Sequence, residues 1–139
     1  MKPQPKIFLS YARPDRDQVE QVYQKLVGQG YKPWMDSQDI LPGEKWEISI
    51  DRALRQADFV IVFISPNSTD RRGVLQKEIK KALDYAQEKL DGDIYLIPAR
   101  LEDCPAPDNL QDRQWVDMFK PDGWNRLIKA IEAGIAQRK

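Results

Sequence analysis

Phe59-Val60-Ile61-Val62-Phe63-Ile64 is an unbroken run of six apolar residues, and Ser65-Pro66 follows it directly. A short run with this β-branching, bounded by turn formers, reads as a strand buried on both faces. Such strands belong to parallel sheets covered by helices. Working outward, Lys6-Ile7-Phe8-Leu9-Ser10 reads as a first strand. Tyr31 to Met35 reads as a second, whose Pro33 suits an edge position. After the turn Asp91-Gly92-Asp93, Ile94-Tyr95-Leu96-Ile97 reads as a further strand, and Trp115-Val116-Asp117 as a short last one.

Helical stripes separate these strands. Pro14 suits the first turn of a helix, with Asp15 and Asp17 near its positive end. Val19, Val22, Tyr23, Leu26 and Val27 then repeat at helical spacing, and Gly28 and Gly30 end the pattern. Trp46, Ile50, Ala53, Leu54 and Ala57 mark a second helix. Residues 73–90 mark a third, with Leu75, Ile79, Ala82, Leu83, Ala86 and Leu90 inward. Pro121 opens a last helix carrying Trp124, Leu127, Ile128, Ile131 and Ile135. Asp36 to Lys45, Ser65 to Arg72 and Cys104 to Asp112 read as loops. The alternation predicts an α/β fold, a flavodoxin-like doubly wound, five-stranded parallel sheet with helices on both faces. Residues 6–139 form one domain in this reading, after a frayed tail at 1–5.

Composition narrows the chemistry. The chain has 139 residues, 22 Lys plus Arg against 22 Asp plus Glu, one Cys and no His. Without His there is no Ser-His-Asp triad or Cys-His dyad, and no metal site is expected. Cys104 alone makes no disulfide framework. A formal charge of zero argues against a nucleic-acid or anionic-membrane partner. No apolar run is long enough to span a bilayer and no secretory leader is visible, so a cytoplasmic domain is expected.

In an open parallel sheet, ligands bind beyond the carboxyl ends of the strands. That rule selects Ser10, Tyr11 and Arg13 after the first strand, Asp36 and the 36–45 loop after the second, and Ser65 and its loop after the third. Glu78 falls roughly 60° from Leu75 on the helical wheel, on the flank of the buried stripe. Its carboxylate either leans toward the rim of the sheet or pairs with Lys77 or Lys81 as a boundary residue. Several motifs are absent. A phosphoacceptor site would need acids where Ser10-Tyr11 and Ser65-Pro66 stand. Gly28-Gln29-Gly30 ends a helix rather than opening one, so it is no dinucleotide fingerprint. Cys104 has no His to activate it, and Glu102-Asp103 lacks a third ligand.

Taken in order, these residues resemble a Toll/interleukin-receptor (TIR) domain of bacterial type. Phe8-Leu9-Ser10-Tyr11 is similar to that family's first box. Asp36 through Asp39-Ile40-Leu41-Pro42-Gly43, followed by Trp46, is similar to its second box, the BB loop. Phe59 to Pro66 is similar to its central strand, and Gln76-Lys77-Glu78-Ile79 with Ala82-Leu83 to the helix that carries its catalytic glutamate. Val74, four positions earlier, replaces an aromatic common in enzymatic members, and Met118-Phe119 stands roughly where the third box belongs. The resemblance runs from about Lys6 to Ile135.

The resemblance implies one of two activities: cleavage of NAD at the nicotinamide–ribose bond, or assembly with other TIR domains without catalysis. In the first, NAD is the substrate and no further cofactor is needed. Glu78 is then catalytic, and Ser10, Tyr11, Arg13, Asp36, Leu41, Trp46, Ser65 and Val74 are substrate-binding. Ile40, Leu41, Pro42 and Gly43 would meet a neighbouring TIR domain in homotypic self-association, with turnover dependent on assembly. The residues leave alternatives open. Ser10, Tyr11 and Arg13 either contact ribose and phosphates or form a strand-end hydrogen-bond cluster. Asp36 either orients Arg13 and the loop or makes an Asx turn. Ile40, Leu41 and Trp46 form either a lid or an interface. Nicotinamide in NAD is a pyridinium that leaves neutral without a proton, so one ionised carboxylate suffices. Glu78 is therefore expected to stay ionised, with Lys77, Lys81, Arg72 or the helix N-terminus offsetting its burial.

Overall fold

The computed structural model describes residues 4–69, 74–89 and 92–138; the side chains of residues 69 and 74–76 fall outside that description. In chain order the elements are β1 (Lys6–Ser10), α1 (Arg16–Gly28), β2 (Lys32–Trp34), α2 (Asp36–Asp39), α3 (Trp46–Gln56), β3 (Phe59–Ile64), α4 (Val74–Ala86), β4 (Leu96–Arg100), β5 (Val116–Asp117) and α5 (Gly123–Gln137). The strands form one sheet in the order β2-β1-β3-β4-β5, and every pairing is parallel. This is the flavodoxin-like arrangement that the strand–helix alternation predicts.

All six residues of β3 are buried, and their alternation divides the core. Phe59, Ile61 and Phe63 point to one face, where Val19, Val22 and Leu26 of α1 and Leu127 and Ile131 of α5 cover them. Val60, Val62 and Ile64 point to the other, against Ile50 and Leu54 of α3 and Ile79 and Ala82 of α4. Burial of these side chains is the main stabilising term, at about 1.5–3 kcal/mol per large aliphatic residue. α5 packs closely enough that its glycine matters. A Cβ built on Gly134 would lie 2.3 Å from Phe59 Cε1.

Several boundaries differ from the sequence reading. β2 is the edge strand that Pro33 suggests, but it spans three residues rather than five. The end of α1 narrows to Val19, Val22 and Leu26; Val27 is 49% exposed, because the stripe outruns the short edge strand it packs on. The 36–45 loop begins with the one-turn helix α2, and a 3₁₀ turn, Pro66–Thr69, follows β3. β4 starts two residues later than expected and includes Pro98. Leu101 N–H donates to the Ile64 carbonyl of β3, so alternation turns the Pro98 nitrogen toward β5. β5 pairs only from Ala99 onward, so no ladder bond is lost there.

Pro5 is buried and its carbonyl accepts from Lys32 N–H, while residues 1–3 of the expected tail lie outside the described residues. The same holds for the readings placed on Arg72, Gly73, Leu90 and Asp91, and on the side chains of Val74 and Leu75. No helix among the described residues is long and apolar enough to cross a membrane.

Candidate functional site

The strand order reverses between β1 and β3, which is where a doubly wound sheet opens a crevice at its carboxyl edge. A cavity of about 610 Å³ lies there. Tyr11, Arg13, Asp36, Ile40, Trp46 and Glu78 all line it, together with Trp34, Ile50, Asn67 and Ser68. Residues from four separate segments thus meet at one cleft.

Two exit loops are locked together beneath it. Asp15 is buried and accepts hydrogen bonds from Ser65 Oγ and, at 2.9 Å, from Asn67 Nδ2. Ser65 Oγ in turn accepts from Asn67 N–H at 3.1 Å, and Ser65 N–H donates to Ser68 Oγ at 3.0 Å. The Ser65 hydroxyl is therefore spent inside this lattice, while Asn67 and Ser68 face the cavity. Asp15 fixes the loop that carries Arg13 against the loop that carries Asn67.

Tyr11 is half-buried and its hydroxyl donates to Asp36 Oδ1, which also accepts from Ser37 N–H at 2.8 Å. Asp36 thus orients Tyr11, and its bond to the next residue's N–H is not the Asx turn, which would reach two residues on. Burial and the Asp36 contact push the Tyr11 phenol up to about 12, so it stays a donor at neutral pH. Arg13 is exposed at the mouth, and among the described residues no carboxylate pairs with it within 4.0 Å. Its guanidinium is open to an anionic group such as a pyrophosphate.

Glu78 is half-buried on α4. Burial, reinforced by the negative charge of Asp36, raises its carboxyl pKa from 4.5 to about 8. Ser10 and Lys81 act in the opposite direction without prevailing. The nearby positive charge expected to offset its burial therefore does not do so in the protein alone. Lys81 is 3.4 Å from Asp51, which shares its charge, and Lys77 is exposed. Desolvation outweighs a cation already held by another acid. Ser10 is 1% exposed, and its Oγ has no hydrogen-bond partner of normal geometry.

The loop at the cavity edge is braced from below. Glu44 accepts from Leu41 N–H at 2.8 Å and from Ser49 Oγ at 3.0 Å. Gly43 has φ +92°, a conformation that L side chains rarely adopt. Leu41 is 65% exposed and does not line the cavity, whereas Trp46, 51% exposed, does; Ile48 on the same helix is 52% exposed. Val74 lies on the first turn of α4, with its side chain outside the described residues.

Trp34, Asn67, Ser68 and Asp15 were not singled out as site residues by the sequence reading. Asn67 and Ser68 carry a readable signal, since they follow directly on the central strand. Trp34 carries none, because a tryptophan in an edge strand reads as core.

Comparison with known proteins agrees with this architecture. The family model described as TIR domain matches residues 7–131. The uncharacterized protein y4cD of Sinorhizobium fredii (strain NBRC 101917 / NGR234) is 27% identical over 135 residues, covering 95% of this chain and 21% of that protein. The chain therefore spans about a fifth of the length of that curated relative. Among solved structures, the TIR domain of the Toll-related receptor TRR-2 from Hydra magnipapillata superposes with a TM-score of 0.75 at 22% identity, covering 91% of this chain and 97% of that one. The TIR domains of the activated Roq1 resistosome, which recognizes the pathogen effector XopQ, give 0.63 at 17% identity over 98% and 75%. A prokaryotic SEFIR domain gives 0.66 at 16% identity over 92% of each chain. These structural likenesses bear on the fold.

Proposed function

This chain belongs to the TIR-domain family, and from that premise we propose that it cleaves NAD at the nicotinamide–ribose bond, with Glu78 as the catalytic carboxylate. The observation that carries the reading is Glu78 itself: a half-buried acid on the wall of a 610 Å³ cavity at the sheet's switch point, beside the buried Ser10 hydroxyl. A boundary residue serving only solubility has no use for such a position.

In the proposed step the C1′–N bond breaks and its electron pair returns to nicotinamide, which leaves neutral. The ribose becomes an oxocarbenium ion, which the Glu78 carboxylate stabilises by its charge. Water then adds its oxygen at C1′ and gives up a proton, leaving ADP-ribose; closure by an internal nucleophile would give a cyclic product instead. Arg13 holds the phosphates and Tyr11 offers its hydroxyl oxygen to the sugar, while Ser10, buried behind the wall, supports Glu78. The raised pKa of Glu78 is compatible with this role. A bound pyridinium is a nearby positive charge, which favours the ionised carboxylate, so substrate binding itself expels the proton.

A second reading, a docking module that acts through TIR–TIR assembly, is favoured by the exposed Leu41, Trp46 and Ile48 beside the loop. Incubation with NAD at two protein concentrations, with mass analysis of the products, separates the two. Release of nicotinamide by the parent, abolished by Glu78→Ala with circular dichroism unchanged, is the expected result. Equal turnover in parent and variant removes Glu78 from the mechanism, and no turnover at any concentration leaves the docking reading.

A further inference from the structure

A second cavity, about 250 Å³, opens on the α3 side of the sheet near the strand starts. Lys6 opens β1 and Lys32 opens β2, and the two are direct partners in the parallel ladder. Side chains alternate along a strand, so Lys6 shares the face of Phe8 and Lys32 the face of Trp34. Phe8 and Trp34 stack with ring centroids 5.2 Å apart. Two like charges therefore stand side by side beneath an aromatic floor, an arrangement that repels. Arg52 of α3 lines the same cavity.

The cations outnumber the acids of the cavity: Lys6, Lys32 and Arg52 face Asp39 and Glu44, and the Leu41 N–H and Ser49 hydrogen bonds, helped by Arg52, lower the Glu44 carboxyl pKa. Among the described residues, no carboxylate lies within 4.0 Å of the Lys6, Lys32 or Arg52 side-chain nitrogens. Both acids are held in place by neutral donors, which fixes their carboxylates and leaves the cavity one positive charge in excess. Asp39 accepts from Met35 N–H at 2.9 Å and from Tyr23 OH at 3.2 Å. Glu44 accepts from Leu41 N–H and Ser49 Oγ. Protection of a sheet edge explains a lysine on β2. It does not explain Lys6, whose strand lies between β2 and β3, or an arginine reaching the same cavity from a helix.

The geometry points to a second ligand site here, distinct from the cleavage cavity, that takes a small soluble molecule bearing a multivalent phosphate. Arg52 supplies the fork that suits phosphate oxygens and the two lysines supply point charges. Trp34, held in place by its stack on the buried Phe8, gives the rest of the ligand an apolar surface. The inference stands on residues other than Glu78 and holds whether or not the chain cleaves NAD.

Isothermal titration of the chain with inorganic pyrophosphate tests it. Saturable binding is expected, weakened at least tenfold by Lys32→Gln and by Arg52→Gln, weakened by added salt, and retained in Arg13→Gln. Arg52→Gln lies on an exposed helix position, so it remains informative if Lys32→Gln fails to fold. Absence of saturable binding overturns the proposal. So does loss in Arg13→Gln with retention in the other two variants, which places the phosphate in the cleavage cavity. In a parallel arm, sedimentation with vesicles bearing phosphorylated lipid headgroups but no response to pyrophosphate also overturns the soluble ligand and gives these cations to a membrane surface.

Discussion

Asp36 and Glu78 line one cavity, and the charge on Asp36 adds to burial in holding the Glu78 carboxyl protonated up to about pH 8. The two acids are unequal because their surroundings are. Asp36 is exposed and accepts from Tyr11 OH and Ser37 N–H, whereas Glu78 is half-buried. Like charges at one site separate into an ionised and a neutral member, and the more buried one takes the proton.

Asp36→Asn removes that charge. Its expected effect is a shift of the kcat/KM profile for NAD toward lower pH, by roughly one unit. An unchanged profile with normal folding would show that burial alone sets the titration of Glu78.

The raised pKa also makes stability depend on pH. The folded state holds the Glu78 proton up to about pH 8, while the unfolded chain releases it near 4.5. Between those values the native state binds more protons than the unfolded one, so the stability that Glu78 contributes is fully present below pH 4.5 and is lost as pH rises through 8. Glu78→Gln mimics the protonated acid and cannot ionise. Thermal melts from pH 5 to 9 are expected to show this variant gaining on the parent steadily toward high pH.

Gly134 is a packing constraint. Adding a methyl group drives it into the Phe59 ring, 2.3 Å from Cε1 and 2.8 Å from Cζ. Gly134→Ala is expected to cost about 1–3 kcal/mol in urea unfolding. Gly28, also helical, has nothing within 4 Å of an added Cβ. Its alanine variant is expected to be neutral, or stabilising by about 0.5–1 kcal/mol.

Gly43→Ala strains the loop at φ +92° and leaves the rest of the fold alone. Sedimentation and NAD turnover are expected to fall together in this variant and in Leu41→Asp, if the exposed loop brings copies together. Loss of association with unchanged specific activity would separate assembly from catalysis.

The layers of this fold were readable because they rest on pattern. Six apolar residues at Phe59–Ile64 announce a central strand, and Pro33 announces an edge. β4 was misplaced because Ile94 and Tyr95 are as apolar as the strand itself, while Pro98 and Arg100 look like breakers. Only the pairing partners show that Pro98 turns its nitrogen away from β3 and that Arg100 reaches Asp117 at 2.6 Å. Within the site, chain order placed Tyr11, Arg13 and Asp36 at the crevice, and the helical wheel placed Glu78. The protonation state was beyond reach, since it depends on how far a carboxyl is desolvated and on whether Lys81 is already held by Asp51. The role of Asp15 was hidden for the same reason, because its partners Ser65 and Asn67 are some fifty residues away.

Trp34 lines both cavities, and its stack on Phe8 leaves the indole little room to swing. Such a ring behaves as a shared partition. Because it is held rigid, replacing it with a smaller side chain would breach the wall between the two chambers rather than enlarge either one alone.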